Sequence, residues 1–256
     1  MPVPFRLLPI LCAAAVASSA VAQVNTERMR KRLADDAAAL SFDASAALAA
    51  GNTDYLQVGL GGRFDVRRGP HIAFLVGRYD LAETDEEEYV NQSFAHLRYN
   101  RYLLPALVGE VFTQVQQNRQ EGLETRLLGG AGVRFEVVNT DSIGLAIGLT
   151  PMLEYEVLDE ALGGQQDVVG RLSTYLSGRI AVSTGASLST VTYIQPRVDR
   201  PEDARLLSQL AVEVALTRAV HLRVRADLRV DSRPPPGVEE VDFRIENGLV
   251  VVLPVP

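Results

Sequence analysis

Val220–Asp231 reads VHLRVRADLRVD, and its period decides the fold class. Val220, Leu222, Val224, Ala226, Leu228 and Val230 fall on one parity. His221, Arg223, Arg225, Asp227, Arg229 and Asp231 fall on the other. A period of two sustained over that length is a β-strand with one apolar and one charged face. Ile143, Leu145, Ile147 and Leu149 alternate with Gly144, Ala146, Gly148 and Thr150, and the pattern continues through Leu153, Tyr155 and Val157. Leu56, Val58, Leu60, Phe64 and Val66 alternate with Tyr55, Gln57, Gly59, Arg63 and Asp65.

Twelve such runs begin near Ser41, Tyr55, His71, Tyr89, Ala106, Thr125, Ile143, Val168, Ser183, Leu206, His221 and Asp242. Most extend for about 10–14 residues, against the usual five or six of a soluble strand. A tilted strand needs about 9–11 to cross a bilayer. The connections alternate in length. Arg67–Pro70, Leu103–Pro105, Asn139–Ser142, Val182–Thr184 and Thr217–Ala219 are tight; Glu83–Glu88, Arg119–Glu124, Asp159–Asp167, Asp199–Ala204 and Ser232–Val241 are longer. Only the first hairpin, turning at Gly51-Asn52-Thr53-Asp54, breaks the alternation on the long side. Short turns on one rim and long loops on the other are the asymmetry of a transmembrane barrel. Closure would also remove the exposed edges of so many long strands. The expectation is an all-β chain forming one antiparallel barrel of about twelve strands over residues 41–256. The rival is a soluble periplasmic β protein whose apolar face makes a core.

On the barrel register the polar face points into the lumen. It carries Arg63, Arg98, Arg126, Arg134, Arg171, Arg179, Arg223, Arg225, Arg229 and Arg244, with Asp65, Glu110, Glu136, Glu154, Asp227, Asp231 and Glu246. Two readings stay open. The charges line a path for ions or small solutes, or they pair into a network that fills the lumen and stiffens the wall. Eight strands close on side chains and 16–18 leave a water-filled pore, so twelve does not decide. The network reading is preferred, and a structural or envelope role goes with it.

Residues 1–22 have the form of an export signal. Arg6 supplies the positive start, Leu7–Ala17 the apolar core, and Ala20-Val21-Ala22 the small-residue cleavage pattern. Cys12, the chain's one cysteine, lies within it, so the mature chain is expected to hold no thiol. In residues 23–40, Met29, Leu33, Ala37 and Leu40 recur at helical spacing. A short amphipathic segment is expected there, either periplasmic or tucked into the barrel. The net charge of −7 argues against nucleic acid as a partner. His71, His96 and His221 stand in no nucleophile or metal-ligand motif, so neither catalytic residues nor a metal or cofactor are expected. A lipid- or lipopolysaccharide-acting barrel enzyme is the rival from another class. Glu83, Asp85, Glu86, Glu87 and Glu88 form an acidic outer loop: a solvated surface, or a site for divalent cations beside the anionic outer leaflet.

GNTD at 51–54, LGGRFDVRRGPHIAFLVGRYD at 60–80, HLRYNRYL at 96–103 and DSRPPPGVEEVDFRIENGLVVVL at 231–253 carry a family resemblance. The chain resembles domain of unknown function 481, described as salt-induced outer-membrane proteins. The resemblance implies an exported barrel in the outer membrane of a Gram-negative bacterium and no established activity. Within it, Pro234-Pro235-Pro236-Gly237 reads as a stiff outer loop between the last two strands. Glu246, Gly248, Val251 and Leu253 look like the C-terminal signal read by the barrel-assembly machinery. This chain departs from that signal by closing on Leu253-Pro254-Val255-Pro256 instead of an aromatic residue. Outer-membrane lipid, lipopolysaccharide and the assembly machinery are the implied partners. Tyr55, Tyr89, Tyr155, Tyr175 and Tyr193 are candidates for the aromatic girdle.

Overall fold

A computed structural model describes residues 36–49, 55–84, 88–119, 122–160, 164–234 and 238–255. The export signal with Cys12, the segment up to residue 35, the GNTD turn, Asp85–Glu87 and Pro235–Gly237 lie outside the described residues.

Each alternating run becomes a strand. In chain order they are β1 (Ala38–Ala49), β2 (Tyr55–Arg68), β3 (His71–Thr84), β4 (Glu88–Leu104), β5 (Leu107–Asn118), β6 (Leu123–Asn139), β7 (Ile143–Leu158), β8 (Gln166–Ser183), β9 (Ala186–Pro196), β10 (Ala204–Ala215), β11 (Val220–Asp231) and β12 (Val241–Val255). Every strand pairs antiparallel with its sequence neighbours, and β1 pairs with β12 to close the barrel. With no free edge, every strand backbone has a partner on both sides, as a low-dielectric surrounding requires.

The distribution of apolar surface is inverted relative to a soluble sandwich. Leu153 is 66% exposed and Ile245 65%, whereas their sequence neighbourhoods bury Glu154 to 3% and, across the wall, Arg171 to 3%. Leu60, Leu75, Leu97, Val111, Phe135, Ile147, Leu176, Leu210, Val224 and Phe243 also face outward. An exposed apolar band this extensive is too large for a water-facing surface and suits lipid. It disfavours the soluble rival.

Four local differences from the sequence expectation have physical causes. First, β1 begins at Ala38, three residues before Ser41, so Ala38–Leu40 belongs to the barrel and not to a helical segment. Its first residues pair with the end of β12, Ala38 with Val255 and Leu40 with Leu253, which would otherwise be an open edge. Second, Glu83 and Glu88 are not loop residues: β3 and β4 continue until they pair with each other past a bulge at Ala82. The β3–β4 connection is therefore short, and the length asymmetry of the two rims is weaker there. Third, β8 runs through Val182, and the turn falls at Thr184–Gly185. Fourth, Tyr175 and Tyr193 are buried in the lumen, outside any girdle. Phe42, Phe64, Tyr99 and Phe135 are the outward aromatics nearer the short-turn rim.

Candidate functional site in the charged lumen

One side of the lumen, lined by β4 to β9, is packed. Tyr175 on β8 lies against Gly148 on β7, where a Cβ would overlap its ring. Phe112 on β5 lies over Gly130 on β6, 2.8 Å from where a Cβ would stand. Gly148 and Gly130 on the inward parity are thus seats for interior rings. His96 stacks with Phe112, Phe74 and Phe94 at centroid separations of 5.4, 5.8 and 6.3 Å. The guanidinium of Arg98 donates to His96 Nε2 at 3.3 Å, which leaves Nδ1 to donate to Gln114 Oε1 at 3.0 Å. Tyr175 donates its hydroxyl to Glu110 at 2.7 Å, reaching from β8 past β7 and β6 to β5. Arg98 is 3.7 Å from the same carboxylate.

Toward the rim of long connections a belt of buried ion pairs crosses the lumen. Arg205 on β10 holds Glu154 on β7 at 2.7 Å, Glu156 at 3.3 Å and Asp231 on β11 at 2.8 Å. Arg171 holds Asp203 at 3.0 Å and lies 3.4 Å from Glu154. Arg126 binds Glu156. At mid-height a second cluster bridges the closure. Arg78 on β3 engages Asp80 at 2.7 Å, Glu246 on β12 at 3.0 Å and Asp43 on β1 at 3.4 Å. Arg225 binds Glu246 at 2.6 Å and Asp227 at 2.7 Å. Each guanidinium fork presents five donors, which is why one arginine can tie three strands together.

Toward the short-turn rim the lumen opens into a cavity of about 500 Å³. It is bounded by β1–β3 on one side and β8–β12 on the other. Its wall carries six arginines, Arg63, Arg78, Arg179, Arg218, Arg223 and Arg225, against three carboxylates, Asp43, Asp141 and Glu213. His221 lines it as well, with Nδ1 2.7 Å from Glu213. Carboxylates just off the wall, Asp65, Asp80, Asp227 and Glu246, also engage Arg63, Arg78 and Arg225, so the wall arginines that meet no carboxylate among the described residues are Arg179 and Arg218.

The lumen-facing positions inferred from alternation divide among these layers. Arg63 (clamped to Asp65 at 2.7 Å), Arg179, Arg223 and Arg225 line the cavity. Arg98 and Arg134 join the packed side, the latter 3.4 Å from the Tyr175 hydroxyl. Glu136, inward on β6, accepts the Tyr102 hydroxyl at 3.2 Å. Arg126, Arg171, Glu154 and Asp231 sit in the belt, and Asp227 and Glu246 in the mid-height cluster. Arg229 faces Asp242 and Arg244 faces Asp227 across the β11–β12 ladder. The alternation argument missed Arg78, Asp80, Asp43, Arg205, Asp203 and Glu213. In β3 the inward parity also holds Phe74 and Val76, so its polar face reads as apolar until Arg78. His71 lies outside the lumen and bonds the Tyr99 hydroxyl at 2.6 Å. Among the described residues, no group of three or more His, Asp and Glu side chains is placed to hold a metal ion. Asp85, Glu86 and Glu87 lie outside the described residues, and Glu83 and Glu88 end strands.

A family model described as "Protein of unknown function, DUF481" matches residues 42–252. Among solved structures, the barrel is similar to an outer membrane channel from Pseudomonas putida F1, COG4313, with a TM-score of 0.54 and 10% identity over 91% of this chain and 100% of that one. It is also similar to the NanC porin, with a TM-score of 0.50 and 8% identity over 84% of this chain and 98% of that one. At these identities the likeness is one of fold. No curated protein matches the chain.

Proposed function

The chain belongs to the DUF481 family, and from that premise we propose that it is an outer-membrane β-barrel passing small anions through a narrow, arginine-lined lumen. The observation that carries this reading is the cavity of about 500 Å³ walled by six arginines, two of which, Arg179 and Arg218, meet no carboxylate among the described residues. The apolar outer band supports lipid embedding, and two structures similar to it in fold are a porin and an outer membrane channel. In this reading residues 1–22 direct export and are removed, the short turns face the periplasm, and the long connections face outward. β12 presents Glu246, Gly248, Val251 and Leu253 to the assembly machinery before closing on β1. Divalent cations at the outer acids belong to the same proposal, as does the absence of enzymatic turnover.

The ion-pair belt favours a second reading. Arg205, Arg171 and Arg126 with Glu154, Glu156 and Asp231 tie β6, β7, β8, β10 and β11 together across the lumen. A barrel closed by that belt would serve as a rigid envelope component.

Single-channel recording of the refolded protein in a planar bilayer separates the two. Discrete steps with a reversal potential favouring chloride over potassium are expected. Full insertion, shown by protease protection, without conductance would overturn the channel reading and leave the structural one.

A further inference from the structure

The six cavity arginines are not equivalent. Asp65 engages Arg63; Asp43, Asp80 and Glu246 engage Arg78; Glu213 engages Arg223; Asp227 and Glu246 engage Arg225. Arg179 instead donates to the main-chain oxygen of Asp141 at 3.1 Å and reaches no carboxylate among the described residues. Arg218 lies in the β10–β11 turn on the cavity wall, with no ion pair among the described residues.

The strand register gives these groups a floor. Arg179 stands opposite Ser189, Ser189 opposite Ala211, and Ala211 opposite Arg225. In the next row Ser187 stands opposite Glu213. One row across β8–β11 therefore has guanidinium groups at its ends and two small side chains between, a basin roughly 14 Å wide at about 4.8 Å per strand. Ser187 and Ser189 both line the cavity, and neither hydroxyl has a hydrogen-bond partner among the described residues.

We propose that this basin binds small oxyanions, carboxylate or phosphate groups, with Arg179 as the main ligand, Arg218 as the second cation and the two serine hydroxyls as neutral donors. A planar guanidinium fork matches two oxygens of one such group, and hydroxyls complete its shell. Chloride offers no paired oxygens, so the basin discriminates among anions instead of only attracting them. The proposal rests on the anion-passage reading and names its substrate class.

The test is isothermal titration of the full chain in detergent with inorganic phosphate and, separately, succinate, at constant ionic strength. Saturable binding of either is expected, weakened about tenfold in Arg179→Gln, the loss of one charge-assisted contact. It weakens further in Arg179→Gln/Arg218→Gln. Heat-dependent gel migration should stay normal in both variants, and Arg197→Gln at the opposite rim should bind like the parent. Binding of phosphate alone assigns phosphorylated solutes; binding of succinate alone assigns carboxylates. No saturable binding of either, or undiminished affinity in the double variant, overturns the site. Chloride selectivity in the bilayer with no oxyanion binding would sink the basin and leave the channel reading standing. Arginine-dependent oxyanion binding without conductance would do the reverse.

Discussion

The packed side of the lumen and the cavity opposite it are built from the same alternation, yet only one of them is filled. Between β4 and β9, rings descend onto glycines: Tyr175 onto Gly148 and Phe112 onto Gly130. Between β8 and β11, the inward row is Arg179, Ser189, Ala211 and Arg225, which lines the open cavity. The difference teaches that small inward residues have two uses. Opposite an aromatic they are seats; opposite another small residue they are open space.

Breaking the belt should have the largest effect. Glu154→Gln leaves Arg205 and Arg171 buried with one counter-ion fewer. Removing one partner of a buried pair costs about 3–5 kcal/mol. The midpoint of urea unfolding, followed by the loss of heat-dependent gel migration, should fall accordingly. An unchanged midpoint would mean that water already solvates the belt. Filling a seat comes next. Gly148→Ala should push Tyr175 off β7 and its hydroxyl away from Glu110, costing about 1–3 kcal/mol by overpacking. The matching change on the open side, Ser189→Ala, should leave stability unaltered. Equal losses at both positions would erase the distinction between the two sides.

Arg78→Gln sharpens the comparison from the electrostatic side. It frees Asp43, Asp80 and Glu246 from their shared cation beside the cavity. The reversal potential should move toward cations, and Arg126→Gln in the belt should move it less. Equal shifts would mean that the conduction path does not follow the cavity.

The smallest effect belongs to the rim. Arg197 bonds Asp199 at 3.0 Å, and this bond holds the Asp199 carboxyl below the ordinary aspartate range. A folded value below the unfolded one contributes stability above the unfolded value, lost as pH falls through the folded value. Parent and Arg197→Gln should therefore converge in stability below about pH 4 and differ slightly above it. A difference that grows on acidification would contradict that pair.

Much of the lumen was legible from Val220–Asp231 and its counterparts, because a strand's two faces are separated by parity alone. Arg63, Arg171 and Glu154 needed only that rule. Arg78 did not yield to it, since Phe74 and Val76 share its face and make β3 read as apolar inside. Arg205 escaped for another reason: it opens β10 beside a loop, where alternation has barely begun. The start of β1 reads three residues late in the sequence because its first residues are fixed by distant strands that pair with them. Ala38 is held in the sheet by Val66 of β2 on one side and Val255 of β12 on the other.

The sequence by itself determined that the chain alternates, how many strands it makes, and which residues share a face, since these follow from the two-residue period of an extended backbone. Only the tertiary structure decided which carboxylate each arginine meets. Arg205 and Glu154 lie three strands apart, as do Arg78 and Glu246 and Tyr175 and Glu110. Those meetings depend on the curvature and shear of the closed wall, which parity along one strand does not contain.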